Sequence, residues 1–149
     1  LEAKHKPGLI PQDAQGLGRA VWLDECADTV VFMAMQPAFF NRIVSPLFVG
    51  RAGDEAAAER AMADAVPRAL DWLESEVPGS GYLMGERITL ADCAMASPLV
   101  NFAHLGGELG GHPRLSAYWA RMCEWPPLAQ TLEFETRAIE KARARAAGA

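Results

Sequence analysis

No stretch of the 149-residue sequence reaches the roughly 18 consecutive apolar residues a membrane span requires, although half of its residues are hydrophobic. A charged, apolar, small-residue leader of the kind that marks secretion is missing as well. Leu1 stands where a Met would open a complete chain and falls in mid-pattern, which points to an excised fragment or a processed chain. Cations are in short supply: 14 Lys and Arg against 19 Asp and Glu give a formal net charge of −5. Phosphate binding needs clustered Lys and Arg, so this balance argues against nucleic acid as a partner. The locally basic stretch Arg137 to Arg145 reads as a solvated final helix turn, where cations complement the helix dipole. Cysteine is scarce, and Cys26, Cys93 and Cys123 are odd in number, far apart and set in apolar surroundings. They read as small core residues of a cytoplasmic, reducing compartment, with no disulfide and no metal cluster. His5, His104 and His112 lack ligand spacing, so no metal site is expected.

Strand signals are also nearly absent, while Ala, Leu, Met, Glu and Arg dominate. Lys6-Pro7-Gly8 begins an extended connector that runs through Pro11, and Asp13 sits where an N-cap belongs. The pattern predicts a long first helix from Asp13 to about Val49, bent or interrupted at Pro37 and closed by Pro46. Its apolar face is read from Val21, Trp22, Cys26, Thr29, Val30 and Met33, which recur at three- and four-residue steps. Asp54 caps a second helix through about Glu76, with Ala58, Ala61, Ala65, Ala69, Trp72 and Leu73 on one side. Pro67 should kink it and leave the Ala63 carbonyl without its usual donor. A turn cluster at Pro78-Gly79-Ser80-Gly81 precedes a third helix from Leu90 to about Leu105, ended by Gly106-Gly107. A short helix begins near Pro113, a favoured first-turn position, and Pro126-Pro127 opens the last. The fold class is therefore all-α, a five-helix bundle whose first helix is long and kinked.

The most informative segment is Gly85-Glu86-Arg87-Ile88-Thr89-Leu90-Ala91-Asp92. Thr89 and Asp92 form a capping box: the hydroxyl accepts from the Asp92 amide and the carboxylate from the Thr89 amide. Ile88 and Cys93 are placed to act as a hydrophobic staple across it. Taken with Tyr82-Leu83-Met84 ahead of it, this segment resembles the signature that begins the central helix of the glutathione S-transferase C-terminal domain. His112-Pro113-Arg114-Leu115, Tyr118-Trp119 and Arg121-Met122 resemble the family's next helix. Leu1-Glu2-Ala3-Lys4-His5 looks like the end of the preceding thioredoxin-like domain, and Pro11-Gln12-Asp13 with Trp22-Leu23 like the linker and first helix. The resemblance covers essentially the whole chain. It divides the chain into residues 1–10, the end of the thioredoxin-like domain and linker, and residues 11–149, the helical domain.

The resemblance implies that glutathione is the co-substrate and is bound mainly by a thioredoxin-like half. That half would supply the residue that activates the thiol for attack on an electrophile, so no catalytic residue is assigned here. What it implies for this chain is a wall of the hydrophobic substrate pocket and a dimer contact. The pocket positions that match are Val31, Phe32 and Met35 on the first helix and Asn101 on the central one. Bacterial relatives often carry polar or basic residues at the first two, which makes the expected pocket more apolar. The same residues could also fill core. Asp24 matches the position that reaches the partner subunit's glutathione, where a carboxylate suits an ammonium. The homodimer would use the first two helices, with Ala57, Ala58, Ala61 and Ala65 at the interface or packed within one subunit. Two functions follow. One is the half of a transferase that acts on hydrophobic electrophiles; the other is a non-catalytic assembly module of the same fold.

Overall fold

A computed structural model describes residues 8–148. The expected end of a preceding domain, Leu1 to His5, lies outside the described residues. Five helical runs follow one another: α1 over residues 14–49, α2 over residues 55–76, α3 at Leu90–His104, α4 at Pro113–Cys123 and α5 at Pro126–Ala147. The all-α class and the five-helix bundle are as the sequence predicts.

Helix α1 starts where expected. Asp13 is extended and its carboxylate accepts from the Gly16 amide at 2.8 Å, satisfying one of the free donors of the first turn. A Cβ on Gly16 would lie 2.7 Å from that carboxylate and 2.9 Å from the Pro11 ring, so the cap closes only over glycine. The interior prolines interrupt the regular α-helix without ending it. α1 is α-helical over Ala14–Cys26 and Met33–Phe39 and widens to π-helical turns over Ala27–Phe32 and Phe40–Val49. Pro37 lies inside the second α-helical piece and Pro46 inside the second wide one, and neither ends the helix. A proline withdraws a donor and crowds the carbonyl four residues back, and wide turns are a recognised way to absorb such a defect without a break. Gly50 terminates the helix instead, at φ 73°, its amide donating to the Ser45 carbonyl in the left-handed conformation that suits glycine.

Helix α2 repeats the device. Asp54 caps it by accepting from the Ala57 amide at 2.9 Å. The π-helical piece Ala61–Ala65 falls just before Pro67, so the helix widens where the Ala63 carbonyl loses its donor. Asn41 ties the two helices together: its side-chain nitrogen donates to the Pro37 carbonyl and its oxygen accepts from the Asp54 amide, both at 2.8 Å. Gly53 lies so close that an added Cβ would stand 1.9 Å from the Asn41 carbonyl oxygen.

The core side of α1 also departs from the sequence reading. Leu23, Ala27, Val31 and Met35, spaced by one helical turn, are fully buried. Val21, Trp22, Val30 and Met33 point outward, Met33 being 61% exposed. Two apolar stripes run along α1 with similar periodicity, and only packing against α3 decides which is inside. The buried stripe joins Leu70 and Leu73 of α2, Met95 and Leu99 of α3, and Leu115, Tyr118 and Met122 of α4 in one core. Ala58 and Ala61 pack against Ala38 within the subunit. These two alanines therefore close α1 onto α2 and are not available to a second subunit; Ala57 and Ala65 are half-buried.

Candidate functional site

The capping box organises the centre of the molecule. Asp92 is fully buried, and its Oδ2 accepts from the Thr89 amide at 2.7 Å and from the Thr89 hydroxyl at 2.9 Å. Its Oδ1 accepts from the Leu83 amide at 2.9 Å and from the Tyr118 hydroxyl at 3.2 Å. One carboxylate thus holds the loop before α3, the start of α3 and the middle of α4. A buried charge is tolerated when its lone pairs are filled in this way. The loop is shaped to deliver the Leu83 amide: Tyr82 and Gly85 exchange backbone hydrogen bonds, and Gly81 and Gly85 take φ of 73° and 112°. Burial, then the Asp92 charge and hydrogen bond, pushes the Tyr118 phenol well above its ordinary range, so it stays a proton donor. With Thr89 and Asp92 both buried, the box determines the fold and is out of reach of a ligand.

The surroundings of all three thiols favour the protonated form. Burial raises Cys26, helped by the charge of Glu76; burial raises Cys93, helped by Asp92; and burial raises Cys123. The attacking species is the thiolate, which these surroundings disfavour. Among the described residues, no group of three His, Cys, Asp or Glu is placed to hold a metal ion. His104 and His112 pair singly with carboxylates, Glu135 at 3.2 Å and Asp71 at 3.0 Å. No helix among the described residues is long and apolar enough to cross a membrane.

The residues singled out for binding separate into two groups. Val31 and Met35 have no exposed surface and belong to the core, so their side chains back the outer wall of α1 and do not form it. Phe32, half-buried, is not among the buried residues of the core or those packed against it, and it ends the π-helical piece Ala27–Phe32. Asn101 is half-buried on α3, against which α1 packs. Asp24 is half-buried, and its carboxylate has no hydrogen-bond or ion-pair partner among the described residues. The same helix also carries part of a cluster that sequence reasoning missed. The Arg19 guanidinium sits 4.4 Å over the Trp22 ring, Trp22 meets Trp72 of α2 edge-on at 5.9 Å, and Arg19 pairs with Glu76. Arg19 and Glu76 are far apart in sequence, so no local pattern could announce the pairing.

Comparison with known proteins supplies what this geometry lacks. The family model described as the glutathione S-transferase C-terminal domain matches residues 25–126. No curated protein sequence matches significantly. Among solved structures, a glutathione S-transferase-I bound with lactoylglutathione superposes at a TM-score of 0.76 with 20% identity, covering 88% of this chain and 63% of its own. Glutathione S-transferase I from maize, in complex with an atrazine glutathione conjugate, gives 0.74 and 21%, covering 87% and 61%. The apo form of human glutathione S-transferase T1-1 gives 0.67 and 23%, covering 89% and 54%. The chain thus spans between about half and two thirds of the length of these structures. At such identities the likeness concerns the fold.

Proposed function

This chain belongs to the glutathione S-transferase C-terminal domain family, and from that premise we propose that it is the substrate-binding and dimer-forming half of a glutathione transferase. The observation that carries this reading is the family match over residues 25–126, joined to a chain that spans only 52 to 63% of the solved structures it resembles. The groups that bind glutathione and lower the pKa of its thiol belong, on this reading, to a thioredoxin-like segment of the parent protein. The parent transfers glutathione to, or uses it to reduce, an apolar electrophile.

Phe32 and Asn101 form this chain's share of the pocket, with Val31 and Met35 fixing the wall from behind. An aromatic side chain half out of the core contributes a large apolar contact at little entropic cost. Asp24 holds the ammonium of a glutathione bound to the partner subunit, a charge-assisted contact for which its unpartnered carboxylate is suited. The dimer forms through the outward stripe of Val21, Trp22, Val30 and Met33.

The test is kinetic. In the full-length parent, Asp24→Ala should raise the KM for glutathione by about fivefold to tenfold, about the loss of one exposed charge-assisted hydrogen bond, and leave kcat nearly unchanged. Phe32→Ala should raise the KM for the electrophile and spare that for glutathione. An unchanged glutathione KM in Asp24→Ala returns that carboxylate to the solvated surface. A parent whose preceding segment is a synthetase or translation factor would make the domain an assembly module.

A further inference from the structure

The second half of α3, the 105–112 loop and helix α4 line a pocket that shares no residue with the binding positions assigned above. Its volume is about 170 Å³. Phe102 and Ala103 of α3 form one side, Gly107 and Leu109 of the loop a second, and Ser116 and Trp119, about one turn apart on α4, a third. The Phe102 ring is buried and held in place by the loop. A Cβ added to Gly107 would overlap that ring, and the Gly107 amide donates to the Phe102 carbonyl at 3.0 Å. Trp119 is half-buried against the core. Neither the Ser116 hydroxyl nor the Trp119 indole nitrogen has a hydrogen-bond partner among the described residues.

These walls restrict the occupant. No charged side chain lines the pocket, and an ion placed there would give up hydration without meeting a counter-charge. The side-chain polar groups are confined to the α4 wall, a poor cage for water, which needs about two to four polar partners. An apolar cavity of about 150 Å³ takes a benzene-sized molecule, so the volume admits a single ring. Two aromatic side chains favour a ring over an aliphatic body, through edge-to-face or offset contacts. A serine hydroxyl without a partner can give or accept one further hydrogen bond. We propose that this pocket binds a neutral single-ring phenol, its ring against Phe102 and Trp119 and its hydroxyl hydrogen-bonded to Ser116. Nothing in this binding requires glutathione or a second domain, so it stands or falls independently of the transferase reading.

Nuclear magnetic resonance of the isotope-labelled 149-residue chain, titrated with phenol, toluene and benzoate, reads the site directly. Phenol should shift the Trp119 indole and Gly107 amide signals saturably, with a Kd of about 1 mM or tighter. Benzoate, of similar size but charged, should bind at least about tenfold more weakly. Ser116→Ala, at an exposed position, should weaken phenol by about threefold to tenfold, the loss of one neutral hydrogen bond, and leave toluene within about twofold. Ala103→Leu fills the pocket and should abolish phenol binding at an unchanged circular-dichroism spectrum. No saturable shift at Trp119, benzoate as tight as phenol, a Ser116→Ala loss equal for phenol and toluene, or phenol binding unaltered in either variant would overturn the proposal.

Discussion

Replacing Asp92 by alanine is the most severe single test of the architecture. The carboxylate is fully buried and accepts four hydrogen bonds, two from Thr89 and one each from the Leu83 amide and the Tyr118 hydroxyl. A buried donor left without a partner costs about 1–3 kcal/mol. Removing Asp92 orphans the Leu83 amide and the Tyr118 hydroxyl outright and frees the Thr89 amide at the helix start. Part of the loss is offset because a charge no longer has to be kept out of water. The net destabilisation expected is about 3–5 kcal/mol, a large fraction of the ~5–15 kcal/mol that holds a typical domain folded. Urea unfolding followed by circular dichroism measures it directly. Tyr118→Phe removes a single donor and should cost only about 1 kcal/mol. Because both changes break the same contact, the double variant should lose less than the sum. An Asp92→Ala loss below about 1 kcal/mol, or strict additivity with Tyr118→Phe, would refute the account of Asp92 as the hub of the fold.

Burial works against the Glu74 charge, but hydrogen bonds from the Leu115 and Arg114 amides, together with the Arg114 guanidinium, outweigh it and hold the carboxyl below its ordinary range. A carboxylate depressed in the folded state contributes stability above its unfolded pKa and loses it as pH falls through the folded pKa. Glu74→Gln should therefore lower Tm at neutral pH and leave it unchanged in acid below the carboxylate range; an equal deficit at both would exclude the linkage. Gly53→Ala drives a Cβ into the Asn41 carbonyl and should cost about 1–3 kcal/mol by thermal melting, through overpacking. Cys26, Cys93 and Cys123, all raised by burial, should react with an aromatic disulfide reagent more slowly than free cysteine at neutral pH; a fast phase would expose an activated thiol.

Helix starts were legible in the sequence because capping is local. Asp13, Asp54 and Thr89 each sit within three residues of the amides they serve, and all three caps are present. At the interior prolines the sequence announces the lost donor but not the wide turns that accommodate it. The core face of α1 was read one stripe away. Trp22 and Met33 are as apolar and as periodic as Leu23 and Met35, and only the position of α3 selects between them. Ala58 and Ala61, read as possible interface residues, are consumed in closing α1 onto α2. Contacts across long sequence separations left no local trace: Glu74 capping the start of α4, Tyr118 on Asp92 and Arg19 on Glu76. Of the candidate pocket residues, Phe32 and Asn101 are half-buried and Val31 and Met35 lie in the core, a division that depends on the same tertiary choice.

The central claim is that this chain carries the helical half of a glutathione transferase, with the thiol-activating groups elsewhere in the parent. Turnover of glutathione with a chloronitrobenzene, measured for the 149-residue chain and for the full-length parent under the same conditions, tests it most directly. The account predicts conjugation by the parent and none above the uncatalysed rate by the chain alone. Conjugation by the isolated chain would contradict it.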